Sequence, residues 1–236
     1  MKTSQPPRQC NVAGGHSPLG ASGASRFIAC PGSVLLSAGI EDEESDHATL
    51  GTAAHKLGEL CLNASQGHPD NNHEPWSWIG TQLEGGSHIV DKDMADAVQE
   101  YLDAVREWHP DRNQGNSWVE KRFHCPTLHK FFWGTSDFVY HDAAERTLHV
   151  WDYKHGAGIV VEVENNVQCM YYACGVLEEL QLWETVDQVV LHIAQPRGFH
   201  FDGPIRSWGL TTDELEAWLF ETLLPALDTA LVSRDA

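Results

Sequence analysis

Two aspartates and a lysine stand in surroundings where charged side chains are costly. Asp152 and Lys154 end the run Leu148-His149-Val150-Trp151-Asp152-Tyr153-Lys154, and Asp137 interrupts the run from Phe131 to Tyr140. Both runs are dominated by aromatic and β-branched residues and read as core strands, in which residues two apart share a face. Asp152 and Lys154 therefore leave β-structure on the same side. Burying an unpaired carboxylate costs on the order of several kcal/mol, so two neighbouring strands that each spend a core position on Asp point to a shared site. Carboxylate oxygens are hard ligands suited to Mg²⁺ or Mn²⁺. An amine beside them can orient or acidify a water, or stabilise charge on a phosphate oxygen. Glu120, in the preceding strand-like run Ser117–Phe123, offers a third carboxylate. The competing reading is a buried Asp–Lys pair that fixes a hairpin. Such pairs add little over apolar packing, and this one would leave the second acid without a role.

Further polar groups flank these runs. Gln168 and Tyr172 lie four apart in the helical pattern Asn166–Leu177, so they share a face and can hold substrate or an attacking water. His55 and Glu59 are likewise four apart, in Gly51–Leu62, a spacing equally suited to a surface pair. Ser22–Cys30 reads as a short capped helix stopped at Pro31. Around it, Arg26 and Ser33 can collect a phosphate through guanidinium and hydroxyl groups, or can simply cap turns.

The elements that must position these groups follow in order. Residues 1–20 are rich in Pro, Gly, Ser and Asn and are expected to be a flexible tail, with residues 21–236 forming one domain. An acidic loop at 41–47 precedes the helix that carries His55. Residues 63–90 lack periodicity and suggest an insertion or long loop, pinned by Trp76 and Trp78. Lys92–Trp108 is an amphipathic helix stopped by Pro110. Three strands, the Asn166 helix, a strand at Asp187–Ala194 and a last helix follow. That helix is opened by a Thr211/Glu214 capping box and kinked or divided at Pro225. This order predicts an α/β fold with a mixed central sheet flanked by helices.

Composition narrows the function. The formal charge of −19 counts against an extended basic nucleic-acid surface, although residues 1–35 carry no acid and leave room for a local DNA contact. Lys121, Arg122, Lys130, Arg197 and Arg206 are candidates for it. The six cysteines form no CxxC pair, which favours reduced thiols; Cys61, Cys169 and Cys174 fall in helical patterns as small buried residues. His68, His73 and His88 are too scattered to make a metal cluster. With no long apolar span or apolar leader, the expected location is soluble and cytoplasmic, with no membrane partner.

Taken together, Gly134-Thr135-Ser136-Asp137, Trp151-Asp152-Tyr153-Lys154 and Gln168 with Tyr172 resemble the PD-(D/E)xK nuclease superfamily in its RecB-like exonuclease branch. Gly51 to His55 matches that branch's upstream G-x-x-x-H element. Within the branch the chain is most similar to phage-encoded DUF2800-type exonucleases, through Ser22–Ser33, Gly51–His55, Asp152–Gly158 and Gln195–Arg197. The resemblance spans about residues 20–220 and implies a restriction-endonuclease-like core.

It also implies roles. Asp137 and Asp152 would bind one or two Mg²⁺ or Mn²⁺ ions, with His55 and the Tyr153 carbonyl completing the ligands. Lys154 would be the catalytic lysine, and Glu120 would touch a second ion or a bound water. Gln168 and Tyr172 would position nucleotide, and Arg26 with Ser33 would grip a phosphate. Relatives with an iron–sulfur cluster use four Cys; Cys30 has no closely spaced C-terminal trio here, so no cluster is expected. The implied activity is exonucleolytic hydrolysis from double-stranded DNA ends, 5′-to-3′, in a phage-infected bacterial cytoplasm. A homo-oligomeric ring and a single-strand annealing protein would be its partners. A structure-selective endonuclease or nickase, and a non-catalytic DNA-end-binding module, are the alternatives.

Overall fold

Five strands build one mixed sheet in the order β1 (Ser117–His124), β2 (Trp133–Asp142), β3 (Thr147–Tyr153), β4 (Gln188–Ala194) and β5 (Ile205–Thr211). They are seen in a computed structural model that describes residues 17–37, 46–65, 74–83 and 88–235. β1, β2 and β3 form an antiparallel meander, β3 and β4 are parallel, and β4 and β5 are antiparallel. A parallel pair needs a crossover, and α5 (Val167–Leu180) supplies it. The expected mixed sheet flanked by helices is therefore present, consistent with a restriction-endonuclease-like core.

Strand alternation divides the core in two. Leu148 and Val150 of β3, with Val139, Leu191 and Ile193, meet Tyr171, Cys174 and Leu177 of α5. Trp151 and Tyr153, with Phe138 and Tyr140, instead meet α3 (Asp46–Ser65) and α4 (Lys92–Trp108) through Ala54, Leu57, Val98 and Leu102. Two of these helices are capped, Asp91 Oδ1 accepting the Met94 N–H at 2.8 Å and Asn166 Oδ1 the Cys169 N–H at 3.0 Å. The short helix expected to be capped at Ser22–Cys30 instead forms as Ala24–Ala29, with no side-chain cap at Gly23. Cys61, Cys169 and Cys174 are all buried.

Three parts of the structure depart from or refine the expectations. Ser17 Oγ donates to the Phe131 carbonyl at 2.6 Å and Leu19 is fully buried, so the last residues of the expected tail belong to the body. The rest of that tail, the loop at 41–45, and His68 and His73 lie outside the described residues. Within 63–90, α3 runs on to Ser65, a 3₁₀ turn spans Pro75–Trp78, and Gln82 bridges to Ile89. Trp76 pins this segment by donating to Asp96 Oδ1 at 2.7 Å.

At the C-terminal end, β5 was not anticipated, because Gly209 and its polar neighbours hide the strand period. The Thr211/Glu214 capping box does form. Beyond it the helix is divided into α6 (Thr212–Trp218), a π turn (Leu219–Leu223) and α7 (Leu224–Asp235), with Pro225 in the first turn of α7. Pro225 has no N–H to continue the ladder, and the π turn, in which the Leu224 N–H donates to the Leu219 carbonyl, directly precedes it. Among the described residues no helix is long and apolar enough to cross a membrane.

Packing of α5 onto β1 depends on one small residue. A Cβ on Gly175 would lie 2.2 Å from the Phe123 ring. Gly175→Ala should therefore destabilise the chain by about 1–3 kcal/mol through overpacking, read as a lower denaturant midpoint. An unchanged midpoint would contradict this close contact.

Candidate metal centre

The three acids singled out in the sequence lie along one row of the sheet, at the place where its hydrogen bonding parts. β1 pairs with β2 on both sides of Glu120 and Asp137 but not at them: Val119 faces Phe138 and Lys121 faces Ser136. Glu120 has a left-handed backbone (φ 49°), a conformation that costs a non-glycine residue about 1–3 kcal/mol. β2 and β3 stop pairing at Phe138 and Trp151, one step short of Asp137 and Asp152. On its other side β3 stays held, with Asp152 facing Ile193 and the Lys154 N–H donating to the Ala194 carbonyl at 2.8 Å. The Tyr153 N–H donates instead to Asp137 Oδ2 at 2.7 Å. Carboxylates thus occupy the opened seam.

Two helices close over it. Lys154 Nζ sits 2.7 Å from Asp152 Oδ2 and donates to Gln168 Oε1 at 2.9 Å; Gln168 in turn donates to the Tyr172 hydroxyl at 2.8 Å. The i, i+4 pair on α5 therefore acts as one arm that steadies the lysine. From α3, His55 Nδ1 reaches Asp137 Oδ1 at 3.3 Å, while Glu59 pairs with Lys56 instead of with His55. Ligand atoms of His55, Glu120 and Asp137 all lie within 4.8 Å of one another. Tyr153 turns its ring away to stack on Tyr101 (5.0 Å) and donates only its N–H to the seam.

These groups open into a cavity of about 640 Å³ that includes Glu120, Asp137, Asp152, Lys154, Gln168 and Tyr172 in its wall. Arg122 lines it too, a second permanent cation of the wall beside Lys154. Arg26 and Ser33 do not line it; the N-terminal segment contributes Ser17, Gly20, Ala21 and Ser22 instead. Arg26 lies exposed on α1 (Ala24–Ala29), a helix too short to offer much of a terminal dipole. Of the other basic candidates, Arg206 is buried and spends its guanidinium on the Gly203 and Val161 carbonyls, a structural role. Arg197 contacts His155 at 2.8 Å, and Lys130 sits over the Phe131 ring. Gln195, named in the sequence as part of the resemblance but given no role, is buried and ties Gly156, Ile159 and Val161 together beside the site.

The electrostatics are those of a crowded acidic site. Burial raises Asp152, and the neighbouring Asp137 charge adds to this against the pull of Lys154. Burial also acts on Asp137, but His55, the Tyr153 N–H and Lys154 outweigh it and hold the carboxyl below its usual range. Glu120 is pushed up to about 7 by burial and by Asp137. His55 is lowered by burial but raised more by the Asp137 carboxylate, ending at about 9. With Glu120 ionised, three carboxylates outnumber one ammonium and one imidazolium and leave a net negative charge; the high Glu120 value is the response to that crowding. A divalent cation fits both this charge and the hard oxygen donors.

A family model described as "Protein of unknown function (DUF2800)" matches residues 16–235. The chain belongs to the DUF2800 family. The match covers every strand and every site residue of this DUF2800 protein.

The shifts set the pH dependence of the metal-free DUF2800 chain. Between 4.5 and about 7 the folded chain keeps a Glu120 proton that the unfolded chain releases, so stability falls as pH rises through that window. His55, raised from 6.5 to about 9, contributes stability that is full below 6.5 and lost as pH rises through about 9. With chelator present, the wild-type melting temperature should fall more steeply than that of Glu120→Gln from pH 4.5 to about 7. Parallel profiles would show that the Glu120 carboxyl is not held in this environment.

Proposed function

We propose that this DUF2800 protein is a metal-dependent deoxyribonuclease of the PD-(D/E)xK, RecB-like type, hydrolysing phosphodiesters from duplex DNA ends. The observation that carries this is the meeting of Asp137, Asp152 and Lys154 in one cavity, in the chain order D…D-x-K, with His55 and Glu120 beside them. Asp137, Asp152 and His55 would hold one Mg²⁺ or Mn²⁺, with Glu120 and the Tyr153 carbonyl available to further ligation or a second ion. Bound there, the ion would supply Lewis-acid polarisation of the phosphoryl oxygen and a more acidic water.

The side chains do the rest. Lys154, fixed between Asp152 and Gln168, keeps its ammonium because the pull of Asp152 outweighs the lowering by burial. It orients the attacking water or balances charge building on the phosphate. Gln168 and Tyr172 hold the lysine from the helix side and offer polar groups to a nucleotide. Arg122 gives the cavity wall a cation for the DNA backbone. On a chain with formal charge −19, binding of this kind must be local, since affinity follows phosphate contacts and not net charge. A homo-oligomeric ring and a strand-annealing partner belong to the same proposal. A 5′-to-3′ direction through Arg26 and Ser33 would need the terminal phosphate to be held outside the cavity wall, which Ser22 lines and those two residues do not.

Linear duplexes labelled at either end, and closed circular DNA, should be incubated with Mg²⁺ or Mn²⁺. Wild type should degrade the linear DNA from an end and spare the circle. Asp152→Asn and Lys154→Met should each lose roughly 100-fold or more in rate while keeping the wild-type fold. Cutting of the circle would favour the endonuclease alternative. Metal-independent or absent hydrolysis, unchanged by either substitution, would overturn the enzymatic reading in favour of a DNA-end-binding module.

A further inference from the structure

On the sheet face opposite the carboxylates, three histidines converge from three elements. His109 follows the last residue of α4, His149 lies in β3 and His192 in β4. One ligand atom from each lies within 4.8 Å of the other two. His149 Nδ1 and His192 Nε2 are 3.0 Å apart, close to the roughly 3.3 Å that two imidazole nitrogens keep on a tetrahedral ion with bonds of about 2.0–2.1 Å.

The His192 ring is oriented by a partner outside the trio, as ligating imidazoles are. His192 Nδ1 is 2.7 Å from Ser207 Oγ of β5, which leaves Nε2 facing His149. The Trp151 indole N–H donates to His109 Nε2 at 3.0 Å and so occupies that lone pair in the metal-free chain; an ion taking His109 would displace the indole. Trp151 also stacks on the His192 ring at 4.0 Å, and His109 stacks on Tyr140 at 4.2 Å. Burial lowers all three imidazoles, His109 to about 3 and His149 to about 4, so they are neutral at neutral pH, the form in which each ring has one nitrogen lone pair to give an ion. His109 and His192 are buried while His149 is only partly so, which gives an ion and a completing water a way in.

We propose that His109, His149 and His192 form a second metal site, an all-nitrogen one for a borderline divalent ion such as Zn²⁺, which clamps the end of α4 to β3 and β4. Its chemistry differs from that of the carboxylate seam. Imidazole nitrogens suit zinc and its neighbours, whereas carboxylates suit Mg²⁺ and Mn²⁺. The site does not depend on the nuclease reading. Its role is structural: an ion there would fix β3 at Trp151, the residue before Asp152, from the face away from the cavity.

The test uses the full chain, stripped with chelator and titrated with zinc chloride, with metal content measured after dialysis and melting temperature followed alongside. The wild type and the Asp137→Asn/Asp152→Asn double variant should both bind zinc and melt higher with it. His149→Ala and His149→Gln should each bind one zinc fewer per chain and lose that rise. Co²⁺ in place of zinc should give the visible absorption of a tetrahedral nitrogen site in the double variant and not in the His149 variants. Zinc uptake by the His149 variants equal to wild type would overturn the proposal, as would a wild type that neither retains zinc nor shifts its melting temperature. In the latter case the three rings are a hydrogen-bonded cluster only.

Discussion

Like charges in a confined space are the constraint on which the rest of this structure depends. Glu120, Asp137 and Asp152 share a row across three adjacent strands, and the sheet gives up pairing on both sides of Asp137 to accommodate them. Left alone, that row would repel itself and pay desolvation besides. Everything around it answers this problem: Lys154 against Asp152, His55 against Asp137, the Tyr153 N–H turned onto a carboxylate, and a left-handed Glu120. The compensation is incomplete, since the positive groups are fewer than the negative ones. Sites with an unbalanced charge and a strained backbone residue are where function is expected to sit.

The two layers of helices serve this seam differently. α5 closes the carboxylate face and delivers the Gln168–Tyr172 arm to Lys154. Its close approach is possible because Gly175 leaves room for Phe123. α3 and α4 cover the opposite face, yet α3 sends His55 back to Asp137, so the site draws on both layers. Local cations such as Arg122 then matter more than the overall charge in any contact with a polyanion.

Much of this was legible in the sequence because the relevant signals are local. Asp152 and Lys154 share a face through strand alternation, and the i, i+4 spacing of Gln168 and Tyr172 put both on one side of a helix. The amphipathic α4 and the Thr211/Glu214 capping box were equally plain. His55 was ambiguous from spacing, since Glu59 offered it an equally good partner; only tertiary packing gives it to Asp137 and leaves Glu59 to Lys56. The trio of His109, His149 and His192 was invisible for the same reason, because its members are dozens of residues apart and meet through a helix end and a parallel strand pair. Arg26 and Ser33 were offered as a phosphate grip by their guanidinium and hydroxyl groups and by the resemblance, but Ser17, Gly20, Ala21 and Ser22 are what this segment gives to the cavity wall. β5 escaped notice because a strand interrupted by glycine and arginine has no clean period.

The central claim is that the opened seam of the sheet is a binding place for a hard divalent cation. Titration of Mn²⁺ into the chelator-treated chain, followed by electron paramagnetic resonance of the free ion, tests it most directly when wild type is compared with Asp137→Asn. The account predicts a tight site in wild type that is lost in the variant, with the fold of both intact. Equal Mn²⁺ binding by the two proteins, or none by either, would contradict it.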